Sequence, residues 1–236
     1  MWISGASSGI GEALARSVPD EEARVIGISR RPPAGIEHLP ADLSDPVSWP
    51  VVGASFEREL AGFDGDRVVF VHSAGTVEPL GFAGEVDTEG YAANVVLNSA
   101  APQVLGHLFL ASCRHVKAEC HLVMITSGAA CSVYQGWSSY GAGKAAIDQW
   151  VRNVGAEQDQ RGGVHVLSVA PGTVDTAMQA VLRRVDEDDF PQRQKFLDLH
   201  RVRQLADVHD VAGTIWSLRE AGLHNGSVVD LRQLHG

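Results

Sequence analysis

The sequence predicts an α/β protein: a single domain around a doubly wound central parallel sheet of about seven strands, with helices on both faces. Three observations predict it. Short apolar runs alternate with helical patterns along the whole chain. The first of those runs enters a glycine-rich turn and leaves it as a helix. At 236 residues, with 44% hydrophobic and 20% charged side chains, the chain can bury one large core and has an ordinary globular composition.

Taken in order, the apolar run at 1–4 is the first strand, short because it starts at Met1. A helix over 9–18 follows, marked by Ile10, Leu14 and Val18 on one face. Strands are expected near 24–29 and 37–40, and the Pro32-Pro33 turn between them reads as a loop rather than a domain boundary. A helix near 46–62, a strand near 67–72, a long helix near 88–115 and a strand near 120–126 continue the alternation. A helix near 139–160, a strand near 164–170, a helix near 207–221 and a strand near 227–230 complete it. Right-handed crossovers then place any ligand at the carboxyl edge of the sheet. Residues 175–206 break the rhythm: they are helix-prone but irregular, with an acidic run at Asp186 to Asp189 and Pro191. They suit a lid over a ligand, and equally a solvated helix pair.

Two motifs carry chemistry. Tyr140 and Lys144 are four apart and share a helix face, with Ser127 thirteen residues upstream of the tyrosine. A lysine ammonium one turn from a phenol favours the phenolate and is expected to draw its pKa down from about 10. A serine hydroxyl aimed at the same point could bond a carbonyl oxygen, so the three suit proton delivery to a carbonyl. Alone, the pair is also what a solvated helix face looks like. The second motif is the turn Gly5-Ala6-Ser7-Ser8-Gly9-Ile10-Gly11, spaced Gly-x-x-x-Gly-x-Gly. Gly5 and Gly9 would let backbone approach a pyrophosphate, Gly11 would let helix pack on strand, and the helix N-terminus would offer N–H groups and a positive dipole. A glycine turn capped by Ser8 is the plain alternative.

With these motifs in this order, the chain resembles the short-chain dehydrogenase/reductase family over nearly its whole length. The resemblance implies a Rossmann fold and an oxidoreductase using a nicotinamide dinucleotide. It assigns Gly5, Ser7, Ser8, Gly9, Ile10 and Gly11 to the cofactor turn, and Asp42-Leu43 to the adenine contact. His72-Ser73-Ala74-Gly75 stands where the family usually has Asn-Asn-Ala-Gly, and Ser4 replaces the usual threonine. Asn94, Ser127, Tyr140 and Lys144 match the catalytic tetrad. Pro171, Gly172, Val174 and Thr176 match the segment bordering the nicotinamide. The stretches Ile125–Ala130, Tyr134–Tyr140 and Asp175–Ala180 are similar to the benzil reductases, NADPH-dependent members that reduce one carbonyl of an aromatic 1,2-diketone, with sepiapterin reductases as neighbours. That likeness implies substrate contacts from Ser127, Tyr134, Trp137 and Met178, and possible pterin anchoring by Asp230.

After the second strand stand Ser29 and Arg30, where NAD users tend to place a carboxylate. A guanidinium can bind a 2′-phosphate that a carboxylate would repel, so NADP(H) is the expected cofactor. The expected activity is an NADPH-dependent carbonyl reductase acting on a ketone or 1,2-diketone. The alternatives are a pterin reductase and a non-catalytic dinucleotide sensor. The net charge of −10 disfavours nucleic acid and anionic membrane as partners. No apolar run of about 20 residues and no leader ahead of the glycine turn is evident, so a cytoplasmic protein is expected. Three cysteines without Cys-x-x-Cys spacing read as reduced thiols, and ten histidines show no metal-ligand spacing, so no metal is expected. The family's usual contact through its two long helices implies a homodimer or homotetramer.

Overall fold

The computed structural model describes residues 1–234. Seven parallel strands form one sheet in the order β3-β2-β1-β4-β5-β6-β7. They are β1 (Trp2–Ser4), β2 (Ile26–Ser29), β3 (Glu37–Pro40), β4 (Arg67–His72), β5 (Glu119–Ile125), β6 (His165–Ala170) and β7 (Val228–Asp230). The order reverses direction at β1, which pairs with β2 on one side and β4 on the other. A reversal of this kind opens a crevice at the carboxyl ends of the strands.

Alternate residues of each strand face opposite layers. On one face, Trp2, Phe70, Leu122 and Met124 pack under α2 (Trp49–Leu60), α4 (Ala101–Cys113) and α5 (Ser138–Arg161). Trp2, Phe56, Phe70 and Phe109 meet there in edge-on and tilted contacts, with centroids 5.1 to 6.4 Å apart. On the other face, Ile3, Val69, Val71 and Val123 pack under α1 (Gly9–Arg16) and α8 (Val208–Ser217), with Leu14, Ile215 and Trp216 between. Because both faces are covered, the central strands read as continuous apolar runs rather than alternating ones.

The long helix differs in detail from the sequence expectation. It is α3 (Thr88–Val95), one π turn (Val96–Ala100) and then α4. Pro102 has no N–H to give the carbonyl four residues back, that of Asn98, so a regular α ladder cannot run through this point. Read as one helix, Thr88–Cys113 is 26 residues long and apolar enough to span a membrane by length and composition. That qualifies the sequence reading. One side of it, through Ala101, Leu105 and Phe109, is packed in the core.

Residues 175–206 form α6 (Ala177–Leu182) and α7 (Arg193–Arg201), which lie over an aromatic cluster at the carboxyl edge. Gly155 of α5 and Gly226 ahead of β7 touch so closely that a Cβ on Gly155 would lie 2.3 Å from Gly226 backbone. This contact seats the last strand and the turn that follows it.

Candidate active site

A cavity of about 230 Å³ opens at the carboxyl edge between β1, β4, β5, β6 and α6. Its floor is the turn from β1 to α1. Gly5 and Gly9 hold φ of 69° and 55°, a left-handed backbone that side chains disfavour. A Cβ on Gly11 would lie 2.4 Å from the Gly5 carbonyl oxygen, so the helix could not seat on the strand with any larger residue. The Ser8 side chain makes no capping bond, which leaves the first N–H groups of α1 for a ligand. Ser4 replaces threonine and still does structural work: its Oγ accepts the N–H groups of Ser73 (3.0 Å) and Ala74 (3.1 Å). It also meets His72 Nδ1 at 3.2 Å. Burial first, and the Lys144 charge second, lower the His72 pKa to about 3, so this imidazole is neutral.

These features fit a dinucleotide. Gly5, Ser8, Gly9, Ile10, Ser73, Ala74, Gly75, Pro171, Gly172, Val174 and Thr176 all line the cavity. Ser7, Ser29, Arg30, Asp42 and Leu43 do not. The last four lie at and just beyond the ends of β2 and β3. There the Ser29 hydroxyl donates to the Arg31 carbonyl at 2.6 Å, and exposed Arg30 stands 4.0 Å from the Asp42 carboxylate. The hydrogen bond from the Ser44 hydroxyl holds the Asp42 carboxyl below its ordinary range. Leu43 is buried.

Ser127, Tyr140 and Lys144 converge on the same cavity. Ser127 caps a short 3₁₀ turn after β5; its Oγ accepts the Ala129 N–H at 3.2 Å, leaving its own proton to donate. Tyr140 and Lys144 are both buried on α5. Lys144 Nζ donates to the Ile125 carbonyl at 2.9 Å and lies 5.7 Å from the Tyr140 ring centre. The expected effect of the lysine on the phenol is not what this geometry gives. Burial pushes the Tyr140 phenol up, and the Ser127 hydroxyl offsets part of that. The lysine is not among the groups that move the phenol, and burial lowers its own pKa to about 8, with Asp148 opposing.

The asparagine needs correction. Asn94 and Asn98 are both fully buried, one turn apart. Asn94 donates to the carbonyls of Glu78 (2.8 Å) and Thr76 (3.3 Å) and does not line the cavity. Asn98 sits in the π turn against Gly75 and Gly143. A Cβ on Gly75 would lie 2.8 Å from Asn98 Oδ1 and 3.5 Å from Lys144 Nζ, and one on Gly143 would lie 3.2 Å from the Asn98 carbonyl oxygen. It is Asn98 that the fold brings beside the lysine, with Asn94 supporting it through a 3.0 Å bond to its amide. The signal was present in the sequence: an asparagine four residues before Pro102 has a carbonyl freed of its helical donor.

The far wall is aromatic. Trp137 stands 5.0 Å from Tyr134, 5.2 Å from Tyr140 and 4.9 Å from Phe190, ring centre to ring centre. Phe196 of α7 and Met178 of α6 close the cluster. Phe190 is fully buried, yet it follows the acidic run and was not singled out by the sequence. Asp230 is not among the lining residues. Its carboxylate accepts Arg232 Nε at 2.9 and 3.1 Å and also pairs with Nη2, each group holding the other in its charged form. Arg232 itself lines the cavity and was missed. Among the described residues, no three His, Cys, Asp or Glu side chains are grouped to hold a metal ion.

Comparison with known proteins agrees with this geometry. The chain is 34% identical to a benzil reductase ((S)-benzoin forming) of Bacillus subtilis, over 98% of this chain and 97% of that one. It is 30% identical to a benzil reductase ((S)-benzoin forming) of Bacillus cereus, over 92% of each. The solved structure of the KRED1-Pglu enzyme superposes with a TM-score of 0.81 at 26% identity, covering 97% of this chain and 98% of that one. The family model for short chain dehydrogenases matches residues 1–187. The chain belongs to the short-chain dehydrogenase family, as an oxidoreductase acting on carbonyl or alcohol groups.

Proposed function

We propose that this protein is an NADPH-dependent carbonyl reductase that reduces one carbonyl of an aromatic 1,2-diketone such as benzil. One observation supports it above the others: Ser127 and Tyr140 reach a single cavity that has the glycine turn on one side and an aromatic wall on the other. Residues 1–236 act as one dinucleotide-binding catalytic domain in this reading, with 175–206, which carries α6 and α7, as the substrate lid.

The glycine turn and the N-terminus of α1 would hold the pyrophosphate, and Pro171, Gly172, Val174 and Thr176 would border the nicotinamide. Arg30, next to a strand end without a carboxylate, would bind the 2′-phosphate. A bound reduced nicotinamide supplies hydride. The chain's own residues supply the proton and the charge stabilisation. Ser127 and Tyr140 donate hydrogen bonds to the substrate oxygen, and Tyr140 gives up its proton as negative charge builds there. A phenol whose pKa lies above its ordinary value is protonated at neutral pH, the state a general acid requires. Lys144, still largely cationic at pH 7, then steadies the phenolate left behind. Asn98 rather than Asn94 fills the asparagine place, fixing the Gly75 segment beside the lysine. The pairing of Asp230 with Arg232 weighs against the pterin alternative, since the carboxylate that would anchor an amino-pterin is already taken. The exposed faces of α3 and α4, including Val95 and Val104, would serve the subunit contact of a homodimer or homotetramer.

The test is the oxidation of NADPH and of NADH against a panel of ketones, 1,2-diketones and pterins. Turnover of benzil with NADPH preferred supports the proposal. A pterin turned over while benzil is refused overturns the substrate; no turnover of any carbonyl overturns the enzyme.

A further inference from the structure

Of the residues lining the cavity, Lys144 and Arg232 are the two charged ones, and no carboxylate lines it. Lys144 is committed to the Ile125 carbonyl beneath Tyr140. Arg232 comes from the opposite direction, on the 3₁₀ turn Leu231–Gln233 that follows β7. Its aliphatic stem lies on Gly172: a Cβ there would be 3.2 Å from Arg232 Cγ. Its guanidinium lies on Gly128: a Cβ there would be 2.7 Å from Nη2 and 3.6 Å from Nη1. Both glycines are therefore needed for the arginine to lie flat along this edge.

Asp230 fixes the guanidinium through Nε and one edge of Nη2, and Asp230 also accepts the Arg232 backbone N–H at 3.0 Å. Among the described residues, Nη1 has no hydrogen-bond partner. A clamped, planar donor is thus held beside Gly128, one residue along from Ser127. A 1,2-dicarbonyl carries a second oxygen on the carbon next to the one being reduced, so a second donor on the Gly128 side of the same cavity is what that oxygen needs.

We infer that Arg232 is a specificity-determining residue that binds the second carbonyl oxygen of a vicinal dicarbonyl while Ser127 and Tyr140 hold the first. Asp230 is its positioning residue. The inference rests on the carbonyl reductase reading above and adds to it the reason a dicarbonyl is selected over a simple ketone. The aromatic wall cannot make that distinction, because it meets the rings of both kinds of substrate alike.

The experiment compares benzil with deoxybenzoin, which has the same two phenyl rings and one carbonyl, in wild type and in Arg232→Met, with NADPH. The selectivity, kcat/KM for benzil over that for deoxybenzoin, is expected to fall by about tenfold to a hundredfold, the scale of one charge-assisted hydrogen bond. The KM for NADPH and the melting temperature serve as controls for cofactor binding and folding. The double variant Asp230→Asn/Arg232→Met removes the carboxylate left unpaired and is expected to show the same loss. Arg232→Lys carries the comparison if the methionine variant does not fold, and is expected to lose part of the selectivity. An unchanged ratio with benzil still turned over removes Arg232 from this role and leaves the reductase intact. Wild type that turns over neither diphenyl substrate overturns the underlying reading as well.

Discussion

The two walls of the cavity are held by different physics. The glycine wall is made of backbone: left-handed Gly5 and Gly9, and Gly11 seated on the Gly5 carbonyl. The opposite wall is made of side chains, with Tyr134, Trp137 and Phe196 lining it and Phe190 packed behind them, brought together from the N-terminus of α5 and the 175–206 segment. Backbone contacts leave no slack, because no rotamer can relieve a Cβ placed in a carbonyl. Aromatic contacts can be repacked, with a cost that depends on how far the neighbours collapse. One wall is therefore suited to a ligand that never changes, and the other to substrates that vary in shape.

The sharpest way to break that contrast is at the seam, where Tyr140 faces both walls. Tyr140→Phe is expected to lower kcat about 10²- to 10⁴-fold with NADPH affinity kept. Equal turnover by the variant on any accepted carbonyl would remove the phenol from the chemistry. Next in size is the aromatic wall. Phe190→Ala is expected to cost about 3–5 kcal/mol of stability by denaturant unfolding, with substrate KM raised and the dissociation constant for NADPH unchanged. If cofactor binding weakens as much as substrate binding, the walls are not independent. Gly11→Ala is expected to cost about 1–3 kcal/mol and to act on the other side. It should weaken NADPH binding in a fluorescence titration more than it alters the preference among substrates.

Two smaller effects refine the glycine side. Arg30→Glu is expected to shift the ratio of kcat/KM for NADPH over NADH by roughly tenfold toward NADH, and an unchanged ratio would release Arg30 from the 2′-phosphate. His72 gives a pH signature. Its pKa is about 3 in the fold and 6.5 as the ordinary value. Between those values the unfolded chain takes a proton that the folded chain refuses, so stability is full above pH 6.5 and is lost as pH falls toward 3. The slope approaches about 1.4 kcal/mol per pH unit. His72→Asn should flatten that part of a stability–pH curve, and a curve of equal slope in the variant would show that the imidazole does not set it.

Much of the glycine wall could be read in the sequence, for a physical reason. A backbone site needs glycines at fixed offsets within one short segment, and the alternation of strands and helices along the chain follows from the apolar runs. The aromatic wall draws on residues more than fifty positions apart, and nothing local marks Phe190 as an inward residue after three aspartates and a glutamate. Arg232 hides in the same way, because its meaning depends on Gly128 and Gly172 in distant loops. The placing of Asn94 in the tetrad failed for a subtler reason. Asn94 is placed there by likeness to the family, and a second asparagine stands one turn further on; only the wide turn ahead of Pro102 shows that Asn98 is the one beside Gly75. The lysine was located but its effect was not, since spacing along a helix fixes the face and not the atom an ammonium bonds.

The wide turn at Val96–Ala100 has one more consequence. It joins two stretches of helix that answer to different masters, the core through Leu105 and Phe109 and the Gly75 backbone behind the cavity through Asn98. Removing one residue from it would leave Pro102 in place, so a regular ladder still could not close there. The extra residue that lets Asn98 reach Gly75 while Leu105 and Phe109 stay in the interior would be lost. Shortening the helix at its midpoint is therefore expected to unseat either the asparagine or the packed phenylalanine.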